Sequence, residues 1–284
     1  MTHSTPNDQT AMASVQLPRL AMFVARHRRS LLMRKFAGLC HRYLNCYENL
    51  NYDMRTNGEF FVLESLARFQ PRILFDVGAN VGEWSLIAKS VCATAEIYAF
   101  EISPPTYQML AARTGRLADV HCQNFGLSDL AGPVRIRHYA GLPALTTTTD
   151  YPHPFAFAEL EAKVTTGDAF TAAKAIEHID LLKIDVEGME ERVLRGFSVM
   201  LARKAIDLVQ FEYGRVNIVN RFLLRDFYRF FGEQGYVVGK IYPNYVDFRE
   251  YDLADENFIG PNYLACRKDK MEFVQAFNGV RRPR

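Results

Sequence analysis

Short apolar runs of strand length alternate with segments of helical periodicity through most of the chain. From residue 72 onward, five such runs are separated by segments whose apolar positions lie three or four residues apart. The runs are "RILFDVG", "EIYAFEI", "VHCQNFGLSD", "DLLKIDVEG" and "IDLVQFEYG". This alternation of strand and helix predicts a doubly wound α/β fold with a mostly parallel sheet.

Two further strands are predicted between the third and fourth units, at "PVRIRHYAG" (133–141) and "AKVTTGD" (162–168). The segment "GLPALTTTTDYPHPF" (141–155) between them is too irregular for a regular element. We expect either a mobile surface loop or a lid, because long loops beside a ligand often close over it. His138 and His153 in this region are candidate bases, although a single histidine is more often structural.

The N-terminal part differs in pattern from the rest. Residues 1–16 are polar and without periodicity, which predicts a disordered tail. Residues 17–47 mix apolar and basic positions at helical spacing, which predicts one or two helices. We therefore divide the chain into a disordered tail (1–16), a basic helical extension (17–55) and a folded domain (56–284).

Charge is distributed unevenly. The net charge is +2, but residues 1–47 hold seven Lys/Arg and one acid, a balance of +6 that leaves −4 for residues 48–284. We expect a solvated basic face on helices that cap the domain. A patch for a membrane surface or an acidic partner stays open, as does a homodimer through these helices. The small net charge gives no sign of a nucleic-acid partner.

Composition and cysteine usage indicate a cytoplasmic protein. Apolar residues make up 49% of the chain and charged residues 23%, as in ordinary soluble domains. Five scattered cysteines without a Cys-x-x-Cys pair are typical of reduced thiols. No apolar run approaches the roughly 20 residues that span a bilayer, and "LAMFVA" is too short for a signal core.

The loop after the first predicted strand narrows the choice of ligand. Its spacing is Asp-x-Gly-x-Asn-x-Gly, in "LFDVGANVGEWS". Asn80 stands where a dinucleotide-binding loop needs its second glycine, and no Gly-Lys-Ser/Thr follows as in a phosphate loop. A tight turn remains, whose free amides and helix N-terminus suit a carboxylate or another small polar group.

Glu101, at the end of the next strand, supplies the second half of the predicted site. A carboxylate in that position can accept hydrogen bonds from the two hydroxyls of a ribose. The ligand would then be a nucleoside that carries a carboxylate and a positive centre but no pyrophosphate. S-adenosylmethionine fits this description, and carboxylates nearby would favour its sulfonium.

At this point the sequence resembles a known family. "FDVGANVGEWS", "AFEISPPTYQML", "NFGLSD" and "IDLLKIDVEGMEERVLRG" are similar to motifs of the FkbM-type methyltransferases, which belong to the class I S-adenosylmethionine-dependent superfamily. The resemblance covers roughly residues 56–268. It implies a Rossmann-like, seven-stranded sheet with the last strand antiparallel, and methyl transfer to an oxygen, often on a sugar or a natural product.

The resemblance also implies roles for particular residues. The loop would hold the methionine end of the cofactor, Glu101 would bind the ribose, and the segment after the third strand would lie at the adenine, with Phe125 facing either the ring or the core. The residues concerned are Asp76, Gly78, Asn80 and Gly82 in the loop, and Asn124, Phe125 and Gly126 after the third strand.

Methyl transfer to an alcohol requires a base that removes the proton. Asp185 ends the fourth strand, Glu187 follows it, and Glu212 ends the next strand, so these three are the catalytic candidates; Glu190 fits better as a helix-stabilising acid. We expect no metal, although Asp185 and Glu212 could share a divalent cation.

The sequence therefore predicts an S-adenosylmethionine-dependent O-methyltransferase that acts on a sugar or a sugar-bearing natural product. Two alternatives stay open. One is N-methylation of a small amine, and the other is a protein that binds S-adenosylmethionine without turnover.

Overall fold

The computed structural model describes residues 17–279, so the disordered tail predicted for residues 1–16 lies outside the described residues. The chain divides into two compact units between Glu48 and Asn49. The first unit contains two helices, α1 (Leu17–His27) and α2 (Leu31–Tyr47). Both lie in the segment where the apolar and basic pattern predicts one or two helices. Within the described part of the chain, no helix is both long and apolar enough to cross a membrane.

The second unit contains the strands and the remaining helices. Its strands are β1 (Ile73–Val77), β2 (Glu96–Phe100), β3 (Val120–Gln123), β4 (Gly126–Leu127), β5 (Gly132–His138), β6 (Ala158–Thr165), β7 (Ile179–Ile184), β8 (Ile206–Glu212), β9 (Tyr236–Tyr242), β10 (Tyr245–Phe248) and β11 (Asn262–Arg267). Its helices are α3 (Glu59–Ala67), α4 (Glu83–Val91), α5 (Pro104–Thr114), α6 (Gly167–Ala173), α7 (Glu190–Arg195), α8 (Ser198–Ala202), α9 (Asn217–Asn220), α10 (Leu224–Glu233) and α11 (Met271–Phe277).

The main sheet has the order β10-β9-β11-β8-β7-β1-β2-β3. Strand β1 pairs in parallel with both β2 and β7, and β11 runs antiparallel to β8 and β9. The doubly wound α/β fold with an antiparallel last strand is therefore confirmed. The strand order reverses between β1 and β7, and ligands of such sheets bind at the carboxyl ends of the strands near that point.

The predicted number of seven strands is wrong, because the main sheet has eight strands among residues 17–279. The additional strand β10 forms a hairpin with β9, in which Tyr245 pairs with Tyr242 across the two-residue connection Pro243–Asn244. A four-residue strand at a sheet edge has too few positions to show the two-residue alternation that identifies strands.

The segments predicted as extra strands form a separate small sheet. Its order is β4-β6-β5, with β5 antiparallel to β6 and β4 parallel to it. The helix predicted over 189–201 is divided into α7 and α8 at Gly196. A Cβ on Gly196 would lie 2.1 Å from the carbonyl oxygen of Ser128, so the helix ends where the backbone following β4 approaches it.

Both faces of the main sheet are covered by apolar side chains. On one face, Phe75 contacts Phe100, Phe170 and Phe197 with ring centroids 5.3 to 6.0 Å apart. On the other face, Trp84 and the apolar side of α3 belong to a second buried cluster. Burial on both faces explains why the parallel strands form continuous apolar runs in the sequence.

Candidate active site

The loop between β1 and α4 makes the tight turn that its glycines predict. Gly78 and Gly82 both have φ +83°, and Asn80 has φ +47°. These left-handed conformations suit glycine and are tolerated by asparagine. A Cβ on Gly78 would lie 1.8 Å from the carbonyl oxygen of Asp185. Only glycine allows the loop to come this close to the end of β7.

The free amides expected in this loop are partly used within the protein. The N–H groups of Gly78 and Ala79 donate to the carbonyl oxygen of Phe100, and that of Asn80 donates to the Glu101 carboxylate at 2.9 Å. Within residues 17–279, the amides of Glu83 and Trp84 in the first turn of α4 have no backbone acceptor. The donors that remain for an anion therefore include those of the helix N-terminus.

Asp76 lies beneath the loop and is fully buried. One carboxylate oxygen accepts a hydrogen bond from the Ser85 hydroxyl at 2.7 Å, and the other contacts the Lys183 ammonium at 3.1 Å. Both oxygens thus have protein partners. Asp76 fixes the loop to α4 and to β7, which makes it a positioning residue for whatever the loop holds.

Glu101 is nearly buried at the end of β2, with 5% of its surface exposed. Its oxygens accept hydrogen bonds from the amides of Asn80 and Ser103 at 2.9 and 2.8 Å. Burial raises the pKa of Glu101 to about 7, although these two amides lower it. Each carboxylate oxygen keeps a second lone pair, so the group can still accept hydrogen bonds from a diol.

The segment predicted at the adenine divides into two parts. Asn124 is exposed, and its amide donates to the Glu101 carbonyl oxygen at 3.1 Å, which places it beside the carboxylate predicted to bind ribose.

Phe125 packs with its ring against Phe100 and Phe170 in the core. Gly126 lies in β4, where an added Cβ would lie 2.9 Å from a methyl carbon of Ile102. Of the two orientations left open for Phe125, the structure shows the one facing the core.

Three predicted catalytic acids meet at the ends of β7 and β8. Asp185, Glu187 and Glu212 each place a carboxylate oxygen within 4.8 Å of the others, and we call them the carboxylate triad. Glu187 has φ +54°, and Gly188 after it has φ +100°. A left-handed glutamate is strained, and such strain is concentrated at functional sites. The triad is therefore formed by a turn that the backbone adopts at a cost.

Glu190 holds this turn in place. It is buried at the start of α7, and one of its oxygens accepts the amides of Val186 and Gly188 at 3.2 and 3.1 Å. Burial raises the pKa of Glu190 to about 7, and its second oxygen has no hydrogen-bond partner among the described residues. A carboxyl group that takes up a proton near neutral pH pays a smaller free-energy penalty for a buried, unpartnered oxygen than an ionised carboxylate does. Glu190 is thus more than a helix-stabilising acid, because it positions Glu187.

The triad is electrostatically unusual. Burial, followed by the charges of Asp185 and Glu190, raises the pKa of Glu187 to about 8. Burial and the charges of Asp185 and Glu187 raise the pKa of Glu212 well above its ordinary range. Carboxylates this close cannot all ionise easily, so one of them readily takes up a proton near neutral pH.

Lys183 connects the triad to the loop, and the sequence analysis missed its role. Its buried ammonium lies 3.1 Å from Asp76 and 3.3 Å from Asp185. Burial alone would lower the pKa of Lys183, but the charges of Asp76 and Asp185 outweigh burial and raise it. A lysine inside the apolar run "DLLKIDVEG" was the signal available in the sequence.

Glu59 at the start of α3 was also missed. It is buried, and Gln210 on β8 donates to it at 2.7 Å. Asn57 and Asn262 donate to its other oxygen at 2.8 and 3.3 Å. Burial raises the pKa of Glu59, while the charge of nearby Lys183 lowers it. Gln210 and Asn262 are distant from Glu59 in sequence, so no local pattern indicates this network.

The irregular segment 141–155 packs against the triad. The Thr147 hydroxyl donates to the carbonyl oxygen of Glu187 at 2.9 Å, and the Asn220 amide reaches both Thr149 and the carbonyl oxygen of Gly188. Thr147 and Thr149 are buried. These contacts hold the middle of the segment against the turn that carries Glu187, and its role as a lid stays a prediction.

The two candidate histidines do not join the triad. The Nδ1 atom of His138 lies 3.0 Å from the Ser103 hydroxyl, and the residue is buried. His153 contacts the rings of Tyr139 and Tyr151, and partial burial lowers its pKa. Both therefore have the structural surroundings that are more common for single histidines.

Tyr52 lies at the exposed rim of the site. Most of its surface is exposed, yet partial burial and then the charges of Glu212 and Glu187 raise its pKa. The charge of Arg215 acts on the same hydroxyl in the opposite direction. Neither Tyr52 nor Arg215 belongs to a motif, so the sequence gives no signal for them.

The family is decided by the match of residues 76–238, more than half of the chain, to the profile described as "Methyltransferase FkbM domain". The chain belongs to the FkbM methyltransferase family. The matched stretch contains the loop, Glu101 and the complete carboxylate triad. The FkbM motifs recognised in the sequence thus coincide with the residues that the fold brings together.

Curated relatives of this FkbM-family chain are methyltransferases. Methyltransferase sdnD of Sordaria araneosa is 30% identical, and the match covers 43% of this chain and 59% of that protein. Hexuronic acid methyltransferase AglP of Haloferax volcanii is 26% identical, and the match covers 50% of this chain and 56% of that protein. The chain thus spans less than two thirds of the length of either relative.

A solved structure of methyltransferase FkbM from Methylobacillus flagellatus KT resembles this FkbM-family chain with a TM-score of 0.46 and 13% identity. The match covers 69% of this chain and 44% of that chain. The assignment of the fold rests on the order and direction of the strands described above.

Proposed function

We propose that the protein is an S-adenosylmethionine-dependent O-methyltransferase that acts on a hydroxyl of a sugar or a sugar-bearing natural product. The observation that carries this proposal is the position of the carboxylate triad. The triad lies at the same edge of the sheet as Glu101 and the Gly78–Gly82 loop. The loop touches the end of β7, because Gly78 packs against the carbonyl oxygen of Asp185. The candidate base and the carboxylate proposed to bind the nucleoside therefore lie at one edge of the sheet.

The residues at the loop fit S-adenosylmethionine. Glu101 has lone pairs that can accept hydrogen bonds from the ribose hydroxyls. Asn124 lies beside Glu101, where it can contact the adenine. The Asn80 side-chain oxygen is buried without a hydrogen-bond partner among residues 17–279, so it can accept a hydrogen bond from the ammonium of the methionine end. The free amides of Glu83 and Trp84 can donate to its carboxylate. The bound cofactor supplies the methyl group.

The triad would accept the proton of the acceptor hydroxyl. An efficient base has a pKa near the working pH, and the pKa of Glu187 in this cluster is raised to about 8. Carboxylates this close titrate together, so either Asp185 or Glu187 can receive the proton of the hydroxyl. Asp185 and Glu212 raise the affinity of this cluster for a proton, and Lys183 holds Asp185 in position. No metal enters this proposal. Turnover lost on chelation and restored by Mg²⁺ would instead make the triad a set of metal ligands.

The acceptor class rests on one relative and on the rim of the site. AglP is named a hexuronic acid methyltransferase. Tyr52 lies near Glu212 and Glu187, and Tyr151 lies near Tyr52, so the two tyrosines offer aromatic faces for a sugar ring. All five cysteines are free, which supports the cytoplasmic location inferred from the sequence.

The cofactor assignment is tested by Glu101→Ala. Loss of the ribose contacts should weaken S-adenosylmethionine binding by about tenfold to a hundredfold in calorimetry, because a hydrogen bond to a charged group contributes about 1.5–3 kcal/mol. Glu96→Ala removes an exposed acid from the other end of β2 and should leave affinity unchanged. Unchanged affinity in Glu101→Ala, with the fold intact by circular dichroism, would contradict the ribose assignment.

A pH profile tests the role of the triad. We expect kcat/KM to rise with pH and to level off above about 8, as Glu187 loses its proton. Glu187→Gln should remove this inflection together with most of the turnover. The neighbouring control Glu191→Gln, whose carboxylate pairs with Arg195, should keep the profile. A wild-type profile without an inflection would exclude the triad as the base.

The same titration should affect stability in the opposite sense. The folded-state pKa of Glu187, about 8, lies above its ordinary 4.5, so the folded chain binds more protons between these values. Its contribution to stability is therefore complete below about pH 4.5 and lost as the pH rises through 8. Urea unfolding at pH 5 and pH 8 should show a smaller difference for Glu187→Gln than for the wild type.

The reaction itself is tested by transfer of labelled methyl from S-adenosylmethionine to a panel of sugars, glycosides and small amines. Labelled methyl ethers of sugars would support the proposal. Methylation of amines alone would favour the N-methyltransferase alternative, and cofactor binding without any product would favour the non-catalytic one.

A further inference from the structure

Helix α2 of the first unit has an apolar side that is exposed. Leu32, Phe36, Leu39, Tyr43 and Tyr47 follow one another at intervals of three or four residues and therefore lie along one side of the helix. Each exposes more than half of its surface, from 57% to 71%. No residue of α2 is buried. A side of this size is expected to be covered by something other than water.

The opposite side of α2 is basic. Arg34 and His41 lie there, seven residues apart, while Lys35 and Arg42, also seven residues apart, flank the apolar side. All four are exposed. The helix thus separates a continuous apolar side from a basic one.

Helix α1 repeats this arrangement over a shorter length. Leu20 and Val24, four residues apart, expose 60% and 43% of their surfaces. Arg19 and Arg26, seven residues apart, lie on the other side. The exposed Met22 and Phe23 flank these arginines, so apolar and basic side chains are separated less completely in α1 than in α2.

The charge of this region has one sign. Residues 17–47 contain seven Lys/Arg and no Asp or Glu. None of the seven makes an ion pair with a described residue. The positive charge is thus not neutralised within residues 17–279, and it is free to attract an anionic partner.

Among the candidate occupants, a lipid surface matches both properties. A second copy of the chain would cover the apolar side but would bring another seven positive charges close to these. A bilayer with anionic lipid supplies an apolar interior and a negative surface together. Tyr43 and Tyr47 have rings with one polar end, as is typical of the interface between lipid and water.

We propose that α1 and α2 bind in the plane of an anionic membrane surface, with the apolar sides of both helices among the lipids. The 17 residues of α2 extend about 25 Å, and the helix carries the charges of Arg34, Lys35 and Arg42, so it lies on the bilayer and does not cross it. The membrane surface would hold the methyltransferase unit through its N-terminal helices. This proposal does not depend on which acceptor is methylated.

The test is flotation of the full chain with vesicles of phosphatidylcholine, with and without phosphatidylserine. We expect binding to the vesicles that contain phosphatidylserine, and loss of most of this binding at high salt. The double variant Phe36→Ser/Leu39→Ser should lower the partition coefficient by about tenfold or more, because two apolar side chains no longer enter the lipid.

Two further variants keep the test sharp. Leu130→Ser/Leu253→Ser changes two exposed apolar residues in the other unit and should leave vesicle binding unchanged. Arg34→Gln/Arg42→Gln keeps the apolar side and should lower binding only to vesicles with phosphatidylserine, by about tenfold. S-adenosylmethionine binding should be the same in all three variants, which shows that the second unit is folded.

Three results would overturn the proposal. The first is absence of binding to phosphatidylserine vesicles at low salt. The second is equal binding by the wild type and by Phe36→Ser/Leu39→Ser. The third is a wild type that does not bind vesicles and sediments as a dimer, together with a Phe36→Ser/Leu39→Ser variant that sediments as a monomer. The apolar side would then be covered by a second copy of the chain.

Discussion

Asp185→Asn is expected to lower kcat by about a hundredfold to ten-thousandfold while the protein stays folded, the range that loss of a general base produces. Asp185 lies between Lys183, at 3.3 Å, and the other two acids of the triad. Its side chain is about one-third exposed, and asparagine has the same shape. The change therefore removes a charge and a proton acceptor with little effect on packing.

The pH profile separates two roles for Asp185. Its charge helps to raise the pKa of Glu187 and of Glu212, so Asp185→Asn should lower both. If Asp185 accepts the proton, turnover is lost at every pH. If it only tunes its neighbours, turnover survives and the inflection moves from about 8 to lower pH. The matched control is Asp119→Asn, at an exposed acid that pairs with Lys89. This change should alter neither the turnover nor the pH of the inflection.

Near-normal turnover of Asp185→Asn with an unshifted inflection would remove Asp185 from the reaction. The base would then be Glu187 or Glu212, and the single variants Glu187→Gln and Glu212→Gln would distinguish them. Calorimetry with S-adenosylmethionine should accompany these assays, because loss of turnover with unchanged cofactor affinity locates the defect in the methyl-transfer step.

The closeness of the three acids of the triad was predictable from the sequence, because parallel strands have their carboxyl ends at the same edge of the sheet. Asp185 and Glu212 follow runs that were recognised as strands, and the carboxyl ends of neighbouring parallel strands share one edge. The same reasoning placed Glu101 near the Gly78–Gly82 loop, and Asn80 donates to it. These predictions needed only the strand positions and the order expected of a doubly wound sheet.

What the sequence did not show depends on contacts between distant residues. Glu59 joins Gln210 and Asn262, which are 151 and 203 residues away. Phe125 follows an asparagine that faces the site, yet its own ring packs in the core with Phe100 and Phe170. Strand β10 is too short for a clear pattern. Local spacing carries no information on such partners, because tertiary packing alone selects them.

Lys183→Met is expected to reduce the free energy of unfolding by about 3–5 kcal/mol, the usual effect of breaking a buried ion pair from one side. Asp76 is fully buried, and it would keep only the Ser85 hydroxyl as a partner for its charge. For a domain of this size, the melting temperature should fall by about 6–20 °C. Lys174→Met, at an exposed lysine, should change stability by less than about 0.5 kcal/mol.

The double variant Asp76→Asn/Lys183→Met identifies the cause of this loss. If the destabilisation comes from an unpaired charge at Asp76, removing that charge should restore a large part of the stability in urea unfolding, because a neutral amide costs less to bury than a carboxylate. If it comes from lost packing of the lysine side chain, the double variant should be no more stable than Lys183→Met. If Lys183→Met unfolds with the same free energy as the wild type, the ion pair contributes nothing to the stability of the fold. Lys183 would then act only on the charge of the triad.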